Sequence, residues 1–139
     1  LTESHELAPY EDILNERAKI HGVDASYQRI SIHDFSVPTS EIMTAILDAI
    51  DEAIDDGNCV YVHCWGGVGR TGMVVGCYLV RHGKTNEQAI GMVNQLYYTR
   101  PASIRQPRSP ETDAQVEFIR NWWEDPDSLN RNLKKFCEG

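Results

Sequence analysis

The chain has 139 residues, with 13 lysines and arginines against 21 aspartates and glutamates, for a formal net charge of −8. That balance argues against a protein that wraps a nucleic-acid backbone by bulk charge. A 41% apolar and 24% charged composition is that of an ordinary globular protein, and the length suits a single domain over residues 1–139.

In chain order, Leu7, Tyr10, Ile13, Leu14 and Ala18 recur at helical intervals between Glu6 and His21, and Gly22 follows as a stop. Tyr27 to His33 alternates in the manner of a short strand. After Pro38, with Thr39 or Ser40 as N-cap, the run Ile42, Met43, Ile46, Leu47, Ile50, Ala53 and Ile54 marks one face of a helix, ended by Asp55-Asp56-Gly57-Asn58. Cys59-Val60-Tyr61-Val62-His63 has the pattern of a strand buried on both faces of a parallel sheet. A glycine-rich loop leads from it to a helix from about Thr71 to His82, closed by Gly83.

Thr85 and Gln88 form a capping box for a helix to about Tyr98. Ser109 as cap and Pro110 at the first helical position start another through Trp123, and Asp127 to Phe136 is read as a short final helix. Strands alternating with helices predict an α/β fold with a parallel-rich central sheet.

The longest uncharged apolar stretch, Gly72 to Val80, is far short of the roughly 20 residues a membrane-spanning helix needs, and no leader sequence is read at Leu1. Cys59, Cys64, Cys77 and Cys137 show neither Cys-x-x-Cys spacing nor disulfide-scaffold density, so they are read as reduced thiols of a cytoplasmic protein. The five histidines are scattered, and neither a metal nor another cofactor is expected. A monomer without membrane or nucleic-acid partners is the expectation.

The informative stretch is His63-Cys64-Trp65-Gly66-Gly67-Val68-Gly69-Arg70-Thr71-Gly72. A strand, a loop with three glycines and a helix N-terminus make an anion cradle, in which backbone N–H groups turn inward and the helix dipole adds positive potential. A dianionic phosphate fits that cradle over residues 65–70, which differs from nucleotide-binding loops in lacking their Gly-Lys-[Ser/Thr]. Cys64 stands at the mouth, where the N–H groups and Arg70 favour a thiolate nucleophile. Arg70 offers a planar fork for two phosphate oxygens, and Thr71 can donate its hydroxyl to the sulfur as it leaves. His63 fits a buried imidazole donating to backbone carbonyls and so fixing the loop.

His-Cys-x5-Arg-Thr resembles the signature loop of the cysteine-dependent protein tyrosine phosphatases. The Gly-Gly-Val-Gly-Arg variant is most similar to the dual-specificity branch near the cyclin-dependent-kinase-associated and cell-cycle phosphatases, and the likeness runs from about Tyr27 to Trp123. The resemblance implies a phosphotyrosine-phosphatase-like sheet whose N-terminal edge precedes Leu1. It also implies a mobile aspartate that protonates the leaving oxygen. Ile32-His33-Asp34-Phe35-Ser36-Val37-Pro38 is similar to that segment, which makes Asp34 the acid and His33 its nearest competitor. A glutamine that positions water in the tyrosine-specific branch maps to Glu111, while Gln115 matches a second glutamine, and the choice between them stays open.

The implied activity is hydrolysis of phosphotyrosine, with phosphoserine and phosphothreonine as further esters, through a cysteinyl phosphate. The partner is then a phosphorylated protein or peptide. Phosphoinositides or small phosphate esters are the alternative substrates; the resemblance places them second, since phosphoinositide members of the superfamily tend to carry lysines inside the loop and residues 65–69 hold none. A catalytically inactive phosphate-binding module is the alternative from another class.

Other features have plainer readings. Trp65 either touches the pocket rim or packs beneath it, whereas Tyr97-Tyr98 and Trp122-Trp123 read as helix-packing residues. Arg100, Arg105 and Arg108 form a basic stretch that is either a solvated loop or the rim of the site. A redox bond between Cys59 and Cys64 would require the strand end to bend. Residues 57–110 carry six basic groups and one acidic group, so the positive segment of an acidic chain is the one holding the loop.

Overall fold

The computed structural model describes residues 9–102 and 106–125. They fall into two compact units, divided between Ser31 and Ile32. In the first, α1 (Glu11–His21) begins later than its periodicity predicts. Tyr10 takes the N-cap position with φ of −133°, outside the helical region. Gly22, with φ of 64°, closes the helix by donating to Lys19 O while Val23 N donates to Ala18 O. Tyr10 and Tyr27 meet edge to face at 5.1 Å within this unit.

The second unit holds α2 (Ser40–Asp55), α3 (Gly69–Arg81), α4 (Asn86–Tyr97) and α5 (Asp113–Arg120). Thr39 caps α2 by accepting from Ile42 N at 3.3 Å, and the helix buries Met43, Ile46 and Leu47, spaced to share one face. Thr85 and Gln88 form the expected capping box of α4. α3 is the central helix, contacting α2, α4 and α5. Met43, Leu47, Met73, Cys77 and Ile119 are among the fully buried side chains of the core.

The expected parallel-rich sheet is not found: among the described residues the chain is helical and contains no strand. Both runs read as strands, Tyr27–His33 and Cys59–His63, lack a ladder. An alternating or β-branched run gives a strand only where a neighbour accepts and donates its backbone hydrogen bonds. The second run is also far from buried on both faces, since Tyr61 is 86% exposed.

Two helix starts also shift. α3 begins at Gly69 rather than Thr71. α5 is capped by Thr112, in a box with Gln115, rather than by Ser109. Ser109 and Pro110 are joined by a cis peptide bond, and the Ser109 hydroxyl donates instead to Val68 O at 2.7 Å. The helix expected over 127–136 lies outside the described residues.

Two polar ties fix α3 and α4 among their neighbours. Arg81, its side chain 4% exposed, donates to Glu124, Asp48 and Asp51. Burial alone would lower its pKa, but the Glu124 and Asp51 carboxylates outweigh that effect and hold the guanidinium charged. Asn86 Nδ2 donates to Ile119 O and Trp122 O, so the first residue of α4 satisfies carbonyls at the end of α5. Of the paired aromatics, Tyr97 and Trp122 are buried whereas Tyr98 and Trp123 are exposed. Among the described residues no helix is long and apolar enough to cross a membrane.

Candidate active site

Residues 65–68 turn the chain from Cys64 into the first turn of α3. Among the loop glycines, Gly67 takes a left-handed φ of 66°, a conformation that suits a residue without Cβ. Its N–H donates to Cys64 Sγ at 3.2 Å. Gly69 has a different reason to be glycine: a Cβ there would stand 2.7 Å from Gln115 Oε1.

Burial of Cys64 would raise its thiol pKa, but the Thr71 hydroxyl and the N–H groups of Thr71, Gly67 and Val68 more than offset that. The net shift is downward, as the sequence predicts, although Arg70 is not among its leading causes. Thr71 Oγ1 is buried without a hydrogen bond of standard geometry, and it acts on Cys64 as a nearby hydroxyl. Cys77, deeper in α3, has its thiol pushed up by burial and by Glu124, which makes it a poor nucleophile.

Arg70 turns toward the segment of Asp34. Its Nη2 lies 2.9 Å from Asp34 Oδ1 and its Nη1 donates to Ile32 O at 3.2 Å. Asp34 sits in a tight turn closed by Ser36 N donating to His33 O, and its carboxylate accepts from Phe35 N. Phe35 has a φ of 57°, left-handed for a residue with a side chain, at a cost of about 1–2 kcal/mol. The carboxylate is 45% exposed, which leaves it open to solvent.

Gln115 is fully buried, and its amide ties three elements. Oε1 accepts from Thr112 N, Nε2 donates to Ser36 O at 3.3 Å, and the group rests against Gly69. Of the two expected candidates for water, Gln115 joins the segment of Asp34 to Gly69, whereas among the described residues no hydrogen bond ties Glu111 to either. His63 is exposed rather than buried, though its Nδ1 lies 2.8 Å from Cys64 O. A carbonyl only accepts, so this nitrogen donates. Trp65 is also largely exposed, which excludes the position beneath the loop.

Two loop contacts escaped the sequence reading. Arg100 Nη1 donates to Gly66 O at 3.1 Å, and Ser109 donates to Val68 O. These bridge 34 and 41 residues, distances at which no local pattern operates. The basic stretch was the signal for Arg100; nothing local marks Ser109. Arg108 pairs instead with Asp113, and Arg105 lies outside the described residues. Cys59, Cys64 and Cys77 are free thiols.

A family model described as a polymorphic toxin system DSP-PTPase phosphatase matches residues 9–84. The chain is 29% identical over 111 residues to the tyrosine-protein phosphatase CDC14 of Candida albicans, an alignment covering 75% of this chain and 20% of that protein. It is 30% identical over 104 residues to the dual specificity protein phosphatase CDC14AB of Danio rerio, covering 74% and 16%. It is 27% identical over 97 residues to a protein of Arabidopsis thaliana named phosphatidylinositol 3,4,5-trisphosphate 3-phosphatase and protein-tyrosine-phosphatase PTEN1, covering 68% and 22%. The chain thus spans about a fifth of the length of these curated relatives. No solved structure matches. By that family model and these relatives, the chain belongs to the DSP-PTPase phosphatases, in the dual-specificity cysteine phosphatase superfamily and near the CDC14 cell-cycle phosphatases.

Proposed function

We propose that the chain hydrolyses phosphotyrosine, with phosphoserine and phosphothreonine as further esters, by nucleophilic catalysis at Cys64. The observation that carries the reading is the Cys64 thiol held in a backbone N–H cradle, its pKa lowered despite burial. In the first step Sγ attacks phosphorus in line, the S–P bond forms, and the P–O ester bond breaks as Asp34 protonates the leaving oxygen. The N–H groups of residues 65–70 and the Arg70 fork stabilise the equatorial oxygens. Water then attacks the cysteinyl phosphate with Asp34 taking its proton, and the thiolate leaves with the Thr71 hydroxyl donating to it. Gln115 and His63 act as supports, one holding Ser36 of the acid segment and the other the Cys64 carbonyl.

A phosphorylated protein or peptide is the partner this chemistry implies. The exposed Asp34 carboxylate and exposed Trp65 favour an ester presented at a surface. A nucleophilic thiolate is consumed by oxidation, which supports a reducing, cytoplasmic setting. The reading is tested by kcat/KM for a panel of phosphotyrosine, phosphoserine and phosphothreonine peptides, soluble phosphoinositides and para-nitrophenyl phosphate. Phosphotyrosine peptides should lead. A preference for phosphoinositides would replace the substrate, and phosphate binding without turnover of any ester would replace the enzyme with a binding module.

A further inference from the structure

The Gly66–Gly67 peptide group has two strong partners, one on each side. Its N–H donates to Cys64 Sγ at 3.2 Å, and its C=O accepts from Arg100 Nη1 at 3.1 Å. Because the peptide is planar, fixing the oxygen also fixes the direction of the N–H. A cation on the oxygen polarises the amide and makes its N–H a stronger donor, as in any chain of coupled hydrogen bonds.

Arg100 is itself held in place. Its guanidinium carbon lies 5.5 Å from the centroid of the buried Tyr97 ring, whose hydroxyl accepts from Gln106 N, and its own N–H donates to Tyr97 O at 3.1 Å. Nη1 also stands 3.7 Å from where a Cβ on Gly67 would be, so the guanidinium lies against the left-handed residue of the loop.

We propose that Arg100 is a positioning residue of the phosphate loop: by gripping the outward carbonyl of Gly66 it aims the N–H of the same peptide at the Cys64 sulfur. The cation reaches the nucleophile through one amide, and never touches the substrate. This rests on the reading of Cys64 as the nucleophile. Among the described residues the charged and titratable groups nearby include His63, whose ring meets the Cys64 carbonyl, and Arg70 with its partner Asp34. All three side chains are left unaltered by a substitution at Arg100.

The test follows the pH dependence of Cys64 alkylation by iodoacetamide, read on the peptide carrying Cys64 so that Cys59 and Cys77 do not contribute. Arg100→Met should raise the midpoint by about 0.5–1 pH unit relative to the unaltered protein. Labelling on the acid limb should then fall by about three- to tenfold. Arg100→Lys, which keeps the positive charge, should give an intermediate midpoint, and Arg100→Gln should behave like Arg100→Met. Melting curves identify any variant that is unfolded, and a folded member of the neutral pair then carries the comparison. A folded neutral variant with an unchanged midpoint overturns the proposal, including the case in which only KM rises because Arg100 meets the substrate directly. If the unaltered protein itself titrates like an ordinary thiol and Cys64→Ser retains turnover, the nucleophile reading fails first and the proposal with it.

Discussion

Two adjacent segments of the chain, Cys59–His63 and Cys64–Gly69, meet opposite fates. The first is apolar and β-branched, yet it forms no ladder and exposes Tyr61 almost completely. Half of the second is glycine, the residue with the most backbone freedom to lose, yet it is gripped from several directions. Arg100 holds Gly66 O, Ser109 holds Val68 O, Gln115 rests on Gly69, and Gly67 N–H holds the sulfur. Order in this protein follows the partners that reach a segment rather than the intrinsic preference of its residues.

The largest expected effect within the gripped segment is that of Cys64→Ser. It should lower turnover of para-nitrophenyl phosphate by about 10⁴-fold or more while phosphate or vanadate still binds, as equilibrium titration would show. Retained turnover would break the contrast at its centre, because the cradle would then serve some other group. Asp34→Asn should reduce kcat by about 10² to 10⁴ for esters with poor leaving groups and far less for good ones. An equal loss across leaving groups would remove Asp34 from proton transfer. Gly69→Ala should displace the buried Gln115 amide, lower stability by about 1–3 kcal/mol in denaturant melts and weaken turnover through the loosened Ser36 tie. At the other extreme, Tyr61→Thr should change stability by no more than about 0.5 kcal/mol, since the ring faces solvent. A large loss there would mean that the stack of this ring on His63, at 5.4 Å, carries more than a solvent-facing contact.

The same contrast explains what the sequence could convey. Helix starts marked by signals three residues apart, such as Thr85 with Gln88, were legible because the whole motif lies within one turn. The placement of Cys64 before the loop and of Arg70 in the first turn of the next helix was legible for a similar reason. The sheet was not, because alternation in Tyr27–His33 and apolarity in Cys59–His63 state a preference for pairing without supplying the other strand. The cap of α5 was misread since Ser109-Pro110 satisfies the start rule equally well. Its hydroxyl is claimed instead by Val68 O, in a contact 41 residues away. Asp34 was indicated by family likeness, but its 2.9 Å pairing with Arg70 is a tertiary fact that no periodicity encodes.

The glycines of α3 carry a consequence for motion. Gly69, Gly72 and Gly76 lie against Gln115, against Ser109 and Pro110, and against Ile119 respectively, with no room for a Cβ at any of them. α3 therefore presents bare backbone to this side, and the loop at its N-terminus is shaped from outside by α5 and the segment before it. Transient undocking of α5 should then expose the Gly67 and Val68 amides in the same event, so that hydrogen exchange reads loop and helix as one cooperative unit with a common opening free energy.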